Sequence, residues 1–259
     1  MRFGLCGPPE GLASAARCGF DYYETHVTGL MAMDEPAFTE FVKQAEAAPI
    51  RVESCCILFP GSGEVPIVGD TFDRGVLEGY LRRAFERIRR VGADRTAFGS
   101  GGLRRTPAGW EKSRAWAQLA ETLSLTAALA GSYGVTVLLE PLNRGETDTV
   151  ISIAEGVAMI AEVGSPNLKL LADWYHMSRE NEPASALAAA AGVLAHAHIA
   201  SREMRGYPLP DDGGEYTSFF RALSENGYDG RMSIEGGSSQ PDRDGPAALA
   251  FFEKLGIFE

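Results

Sequence analysis

Short runs of β-branched, aromatic and apolar residues alternate along the whole chain with longer segments whose apolar positions recur every three or four residues. This is the pattern of successive strand–helix units. It predicts strands near residues 2–6, 20–24, 50–58, 95–98, 135–140, 168–173, 194–200 and 231–235. Between them it predicts a short helix up to Cys18, stopped by Gly19, then helices near 34–48, 73–91, 111–133, 149–163, 183–191 and 215–226, with a last one near 241–255. Asp34 reads as an N-cap with Pro36 in the first turn. Leu77, Leu81, Phe85 and Ile88 share one face of the third long segment, and Trp116, Leu119, Leu123 and Ala127 share a face of the fourth. A Pro/Gly-rich loop fills 59–69, and Gly99-Ser100-Gly101-Gly102 follows the fourth strand.

Eight such units in sequence predict an α/β fold, a single (β/α)8 barrel domain spanning residues 1–259. The 259 residues sit close to the roughly 250 of one such barrel. A doubly wound open sheet is the structural alternative, but the glycine fingerprint G-x-G-x-x-G that often follows its first strand is absent.

Composition narrows the function classes. With 24 basic and 35 acidic residues the formal charge is −11, which disfavours a phosphate-backbone binder without forbidding a local basic patch. Cys6, Cys18, Cys55 and Cys56 form no C-x-x-C pair. Cys6, Cys55 and Cys56 lie in apolar segments and read as small buried hydrophobes, in keeping with a reducing cytoplasm. The chain starts directly on a strand-like run, and no apolar stretch of about 18 residues is present to span a bilayer. No nucleic-acid or membrane partner is expected.

Candidate chemistry sits at the strand ends. The fifth predicted strand ends in Glu140, the sixth in Asp173 and the eighth in Glu235, while His198 lies near the end of the seventh. The C-terminal ends of barrel strands surround one site, so four residues distant in sequence would meet. Three ionised carboxylates repel, and a divalent cation removes that repulsion. Three oxygens and one imidazole suit Mn²⁺ or Mg²⁺, with Co²⁺ and Zn²⁺ also compatible. Each residue also has a plainer reading as a helix cap, a salt-bridge partner or a loop residue. His196 and His198 alternate onto one side of a strand, where one of them could be only a core histidine.

At these residues the chain resembles the xylose isomerase-like barrel superfamily. It is most similar to ketose 3-epimerases of the tagatose/psicose type and to hydroxypyruvate isomerase-like proteins. The segments that carry the likeness are Leu139-Glu140-Pro141-Leu142-Asn143-Arg144, Asp173-Trp174-Tyr175-His176-Met177, His196-Ala197-His198-Ile199-Ala200 and Ser233-Ile234-Glu235-Gly236. Phe98-Gly99-Ser100-Gly101 adds to it. The resemblance implies one divalent ion, Mn²⁺ by preference, held by Glu140, Asp173, His198 and Glu235. It makes Glu140 and Glu235 the catalytic acid/base pair, and gives His176, Glu146 and an arginine after the seventh strand to the substrate. Arg205 is preferred to Arg202 for that arginine. The implied reaction is epimerisation or isomerisation of a small sugar or sugar phosphate, by proton abstraction and return beside a carbonyl through a metal-bound enediolate.

Trp174 and Tyr175 after Asp173, and the Pro-, Gly- and Asp-rich segment 202–214, depart from many epimerases and leave the substrate open. Trp110 could wall the pocket or pack beneath its loop. Gly99–Gly102 is a weak candidate for holding a phosphate. Rival readings are a lyase or dehydratase acting on an inositol-like or shikimate-like compound, a DNA repair endonuclease of the same superfamily, and a non-catalytic binding barrel. A homo-oligomer built through the outer helices is compatible with the sequence, which names no interface.

Overall fold

A computed structural model describes residues 1–255. Eight parallel strands close into a barrel in sequence order, each hydrogen-bonded to the next and the eighth to the first. They are β1 Arg2–Gly7, β2 Tyr22–His26, β3 Arg51–Cys56, β4 Arg95–Phe98, β5 Thr136–Leu139, β6 Leu168–Asp173, β7 Leu194–Ile199 and β8 Arg231–Ile234. The α-helices are α1 Leu12–Cys18, α2 Val27–Ala32, α3 Glu35–Ala47, α4 Arg74–Arg90, α5 Lys112–Ser132, α6 Ile153–Val163, α7 Trp174–Arg179, α8 Thr217–Glu225 and α9 Pro241–Lys254.

Helix starts follow short polar side chains. Asp34, Asp73 and Ser152 accept the backbone N–H of Ala37, Val76 and Glu155 and so cap α3, α4 and α6. Two separate sets of buried apolar residues result. The larger fills the layer between strands and helices and takes Leu139, Ala172, Ala197 and Ile234 from the strands. The smaller consists of Cys6, Cys56, Ala97, Leu138 and Leu171, which are the alternate strand positions and face the barrel interior. The same period of two continues inward through Glu140, Asp173, His198 and Glu235.

The opposite, N-terminal end is tied by Glu53, which accepts from Arg2 at 2.7 Å and from Arg231 at 2.6 Å. This joins β3 to β1 and β8. Gly4 has a steric cause. A Cβ there would lie 2.4 Å from the ring of Tyr22, whose buried side chain occupies the space beside β1.

Several elements differ from the sequence expectation. β2 lies two residues later than expected and runs through Thr25 and His26. The short helices α2 and α7 were not foreseen: their six residues each are too short to show a period. His176 lies in α7, which Asp173 caps by accepting from the N–H of Tyr175. The helix expected near 183–191 is a 3-10 turn, Ala184–Ala190. The helix expected from 149 begins only after the Ser152 cap. The glycine loop after β4 forms a 3-10 turn, Gly101–Arg104. Glu140 and Glu235 stand one residue beyond β5 and β8.

Candidate active site

The inward period brings the four expected side chains together. Glu140, Asp173, His198 and Glu235 each offer a ligand atom, and these atoms all lie within 4.8 Å of one another. His198 Nδ1 is 3.4 Å from Glu140 Oε1 and 3.7 Å from Glu235 Oε2. All four side chains are nearly withdrawn from solvent, Glu235 being the most open at 18%. The register that sets Asp173 opposite His198 across β6 and β7 fixes two of them directly.

The donor set fits a cation on a structural ground. Glu140 Oε1, Asp173 Oδ2 and His198 Nδ1 are buried and have no hydrogen-bond partner. Buried polar atoms are rarely left so, and these three belong to one cluster. A hard divalent ion would satisfy all of them at once. Their electrostatics agree. Burial, then the neighbouring carboxylates, push the Asp173 carboxyl up to about 8. Burial and Glu235 raise Glu140 as well. Burial alone would also raise Glu235, but His198 and Arg205 outweigh it and bring it down to about 2. The cluster thus holds more negative charge than its own residues neutralise.

The surrounding residues hold the cluster in shape. Arg205 Nη2 donates to Glu235 Oε2 at 2.7 Å and Arg205 Nη1 to Glu146 Oε1 at 3.2 Å. Arg202 instead donates to Asn181 Oδ1. His176 Nδ1 accepts the backbone N–H of Asn143 at 3.1 Å, which leaves the proton on Nε2. That nitrogen is buried and unpaired, 3.5 Å from Asp173 Oδ2. Burial and then Arg205 depress the His176 imidazole to about 3, so it is a neutral N–H donor.

Gly99 makes room for Glu140: a Cβ there would stand 2.6 Å from Glu140 Oε2. Trp110 does not reach the pocket. Its indole lies under the Arg114 guanidinium, 3.4 Å from ring centroid to carbon, and donates to Asp70.

Three features escaped the sequence reading. Arg104, fully buried, donates to the main-chain carbonyls of Glu140 at 2.8 Å and Val150 at 3.2 Å, and so secures the backbone that carries a ligand. Glu24 of β2, also fully buried, accepts from both His196 Nε2 at 2.8 Å and His198 Nε2 at 3.1 Å. Cys6, Cys56 and His26 converge on another side of the mouth, but the two thiols contact each other at 2.8 Å and leave no unpaired buried atom comparable to those of the carboxylate cluster. A glutamate with an alternating inward phase in β2 was the available signal for Glu24. A lone arginine after a glycine turn gave none for Arg104.

The pocket above the cluster has a volume of about 530 Å³. Glu140, Glu146, Arg205 and Glu235 form its polar side, and Cys6, Pro8, Ile57 and Phe59 an apolar one. Gly99–Gly102 line it without any lysine or arginine among them.

Comparison with known proteins places this geometry. A family model described as xylose isomerase-like TIM barrel matches residues 12–255. The chain is 28% identical to an L-ribulose 3-epimerase of Methylomonas sp. over 92% of its own length and 81% of that protein's. It is 33% identical to a 2-oxo-tetronate isomerase of Cupriavidus necator over 61% of this chain and 60% of that one. Among solved structures, a D-allulose 3-epimerase from Methylomonas sp. in complex with D-allulose superposes with a TM-score of 0.84 at 23% identity, over 98% of this chain and 97% of that chain. This last likeness speaks for the fold.

Proposed function

The chain belongs to the xylose isomerase-like TIM barrel family, and on that premise we propose that it is a divalent-metal-dependent epimerase of a small unphosphorylated ketose. That it is an enzyme of the isomerase and epimerase class follows from its relatives; the cation, the residue roles and the substrate are our reading. The observation that carries this reading is the set of unpaired ligand atoms on Glu140, Asp173 and His198, with Glu235 beside them.

When bound, a divalent ion would polarise a substrate carbonyl and make the adjacent C–H acidic. Mn²⁺ remains our preferred ion. The protein's part is proton movement and orientation. Glu140 and Glu235 reach the site from β5 and β8 and supply two carboxylates, one to take the proton from carbon and one to return it. Return to the same carbon from the other side gives epimerisation. Arg205 keeps Glu235 ionised, and so ready to accept a proton. To Glu146, which lines the pocket, and to the neutral His176 Nε2–H beside Asp173 we assign the substrate oxygens, as the resemblance implies.

The pocket favours a neutral substrate. Among the described residues Arg205 is the one lining residue with a permanent positive charge, and two carboxylates already occupy it. A sugar phosphate or a 2-oxo acid would need a cation that is still free. Incubating the Mn²⁺-loaded chain in deuterated water with free ketoses, sugar phosphates and hydroxypyruvate tests this. Deuterium at a carbon next to the carbonyl of a free ketose is the expected result. Incorporation only into phosphorylated or anionic substrates would refute the preference, and loss of water would point to a lyase.

A further inference from the structure

We propose that Glu24 is a positioning residue for the cation site, acting through His198. The inference rests on the metal-dependent reading above and extends it to a residue that touches neither the cation position nor the pocket lining. Glu24 is fully buried within the barrel and accepts three hydrogen bonds: from His196 Nε2 at 2.8 Å, from His198 Nε2 at 3.1 Å and from Ser233 Oγ at 2.5 Å. Ser233 is in turn within 2.8 Å of the Tyr22 hydroxyl. Two strands across the barrel from β2, β7 and β8, therefore converge on one carboxylate.

An ionised carboxylate only accepts. Each histidine must then carry a proton on Nε2, and a neutral imidazole has one N–H. In the neutral ring, the form a cation would bind, the other nitrogen of His198, Nδ1, keeps its lone pair. Nδ1 is the atom that faces Glu140 Oε1 and Glu235 Oε2 and has no partner. It is therefore turned toward the cluster as a cation donor. With the proton on Nδ1 instead, His198 would donate to Glu140 and compete with a cation for that oxygen. The carboxylate behind the ring also strengthens its donor nitrogen, the usual role of an outer carboxylate on a metal-binding histidine. Glu24 fixes the tautomer, the ring orientation and the donor strength together. His196, held by the same carboxylate with its ring 5.1 Å from that of His198 and at 79° to it, packs the His198 ring in place.

The test uses the full chain stripped of metal and needs no substrate. Against burial, the surrounding carboxylates raise the His198 imidazole, so long-range ¹H–¹⁵N NMR of the wild-type chain is followed up in pH until the ring is neutral, where its remaining proton should sit on Nε2. Glu24→Gln offers one acceptor oxygen and a donating NH₂, so it cannot accept from both rings. Its Mn²⁺ dissociation constant, by calorimetry, should rise roughly ten- to hundredfold, with the His198 proton redistributed. A purely structural role predicts a lower melting temperature with unchanged Mn²⁺ affinity and an unchanged tautomer. A wild-type proton on Nδ1, or a folded Glu24→Gln chain that binds Mn²⁺ as tightly as wild type, overturns the proposal. If the variant does not fold, the wild-type spectrum still decides. If wild type binds no Mn²⁺ while His198 carries its proton on Nε2, the metal reading falls and the role of Glu24 in setting the tautomer stands.

Discussion

Arg205 reaches Glu235 at 2.7 Å with one guanidinium nitrogen while the other reaches Glu146 at 3.2 Å, so a single cation organises two carboxylates at the pocket mouth. Its backbone stands in the left-handed region, at φ 46°. Its carbonyl accepts the N–H of Gly237 just past Glu235, which locks the loop after β7 to the end of β8.

Removing that guanidinium has a signed consequence. His198 and Arg205 together hold Glu235 at about 2. In Arg205→Ala the carboxylate binds its proton more readily, so the acid limb of kcat/KM against pH moves to higher pH. A charge-assisted hydrogen bond of this kind is worth about 1.5–3 kcal/mol, or roughly ten- to hundredfold in kcat/KM. An unmoved acid limb would remove Arg205 from the account.

Glu235→Gln and Glu140→Gln keep shape but cannot take a proton. Each should lower deuterium exchange at the substrate carbon by roughly 10²–10⁴-fold or more, with circular dichroism and melting unchanged. Retained exchange in either variant would reject its role as acid or base.

Cation binding should release protons. Without an ion, burial and the adjacent carboxylates hold Asp173 up at about 8 against an ordinary 3.8. A ligand carboxylate must ionise, so Mn²⁺ affinity should fall as pH drops below about 8, and calorimetry in buffers of different ionisation enthalpy should detect proton release. The stability of the metal-free chain follows with its own sign. A carboxyl whose folded value lies above its unfolded one binds extra protons in the native state. Its contribution is full below about pH 4 and is lost as pH rises through about 8. The metal-free melting temperature should decline over that window, and saturating Mn²⁺ should suppress the decline. A flat metal-free curve together with no proton release would contradict this picture of Asp173.

Gly99 is required by the space Glu140 occupies. A methyl group there would stand 2.6 Å from Glu140 Oε2, so Gly99→Ala should displace the carboxylate and weaken Mn²⁺ binding at least tenfold while the chain remains folded. Unchanged affinity would mean that Glu140 can ligate from another rotamer.

The four strand-end residues were legible in sequence because a period of two and a closed parallel sheet leave them one place to go. β6 was legible to the residue, since Leu168–Asp173 is an apolar run, interrupted by Lys169, that ends in a cap residue. α7 was not, because one and a half turns cannot display a helical period. α6 begins four residues later than the pattern suggested, since the chain runs irregularly through Thr149 and Val150 until Ser152 supplies a cap. Arg104 gave no signal, and the inward phase of Glu24 did not reveal what it binds, for a different reason. Their roles depend on partners 36 or more residues away, which no local pattern encodes. That Arg205 reaches Glu235 while Arg202 reaches Asn181 likewise depends on the fold of the loop after β7. Among the described residues no helix is long and apolar enough to cross a membrane, in line with the composition.

Anomalous diffraction from a crystal of the chain grown with Mn²⁺ tests the cation site most directly. The account predicts one strong peak enclosed by Glu140, Asp173, His198 and Glu235, lost on chelation and on Asp173→Ala substitution. A crystal with no peak there, or with its peak beside Cys6, His26 and Cys56, would contradict it.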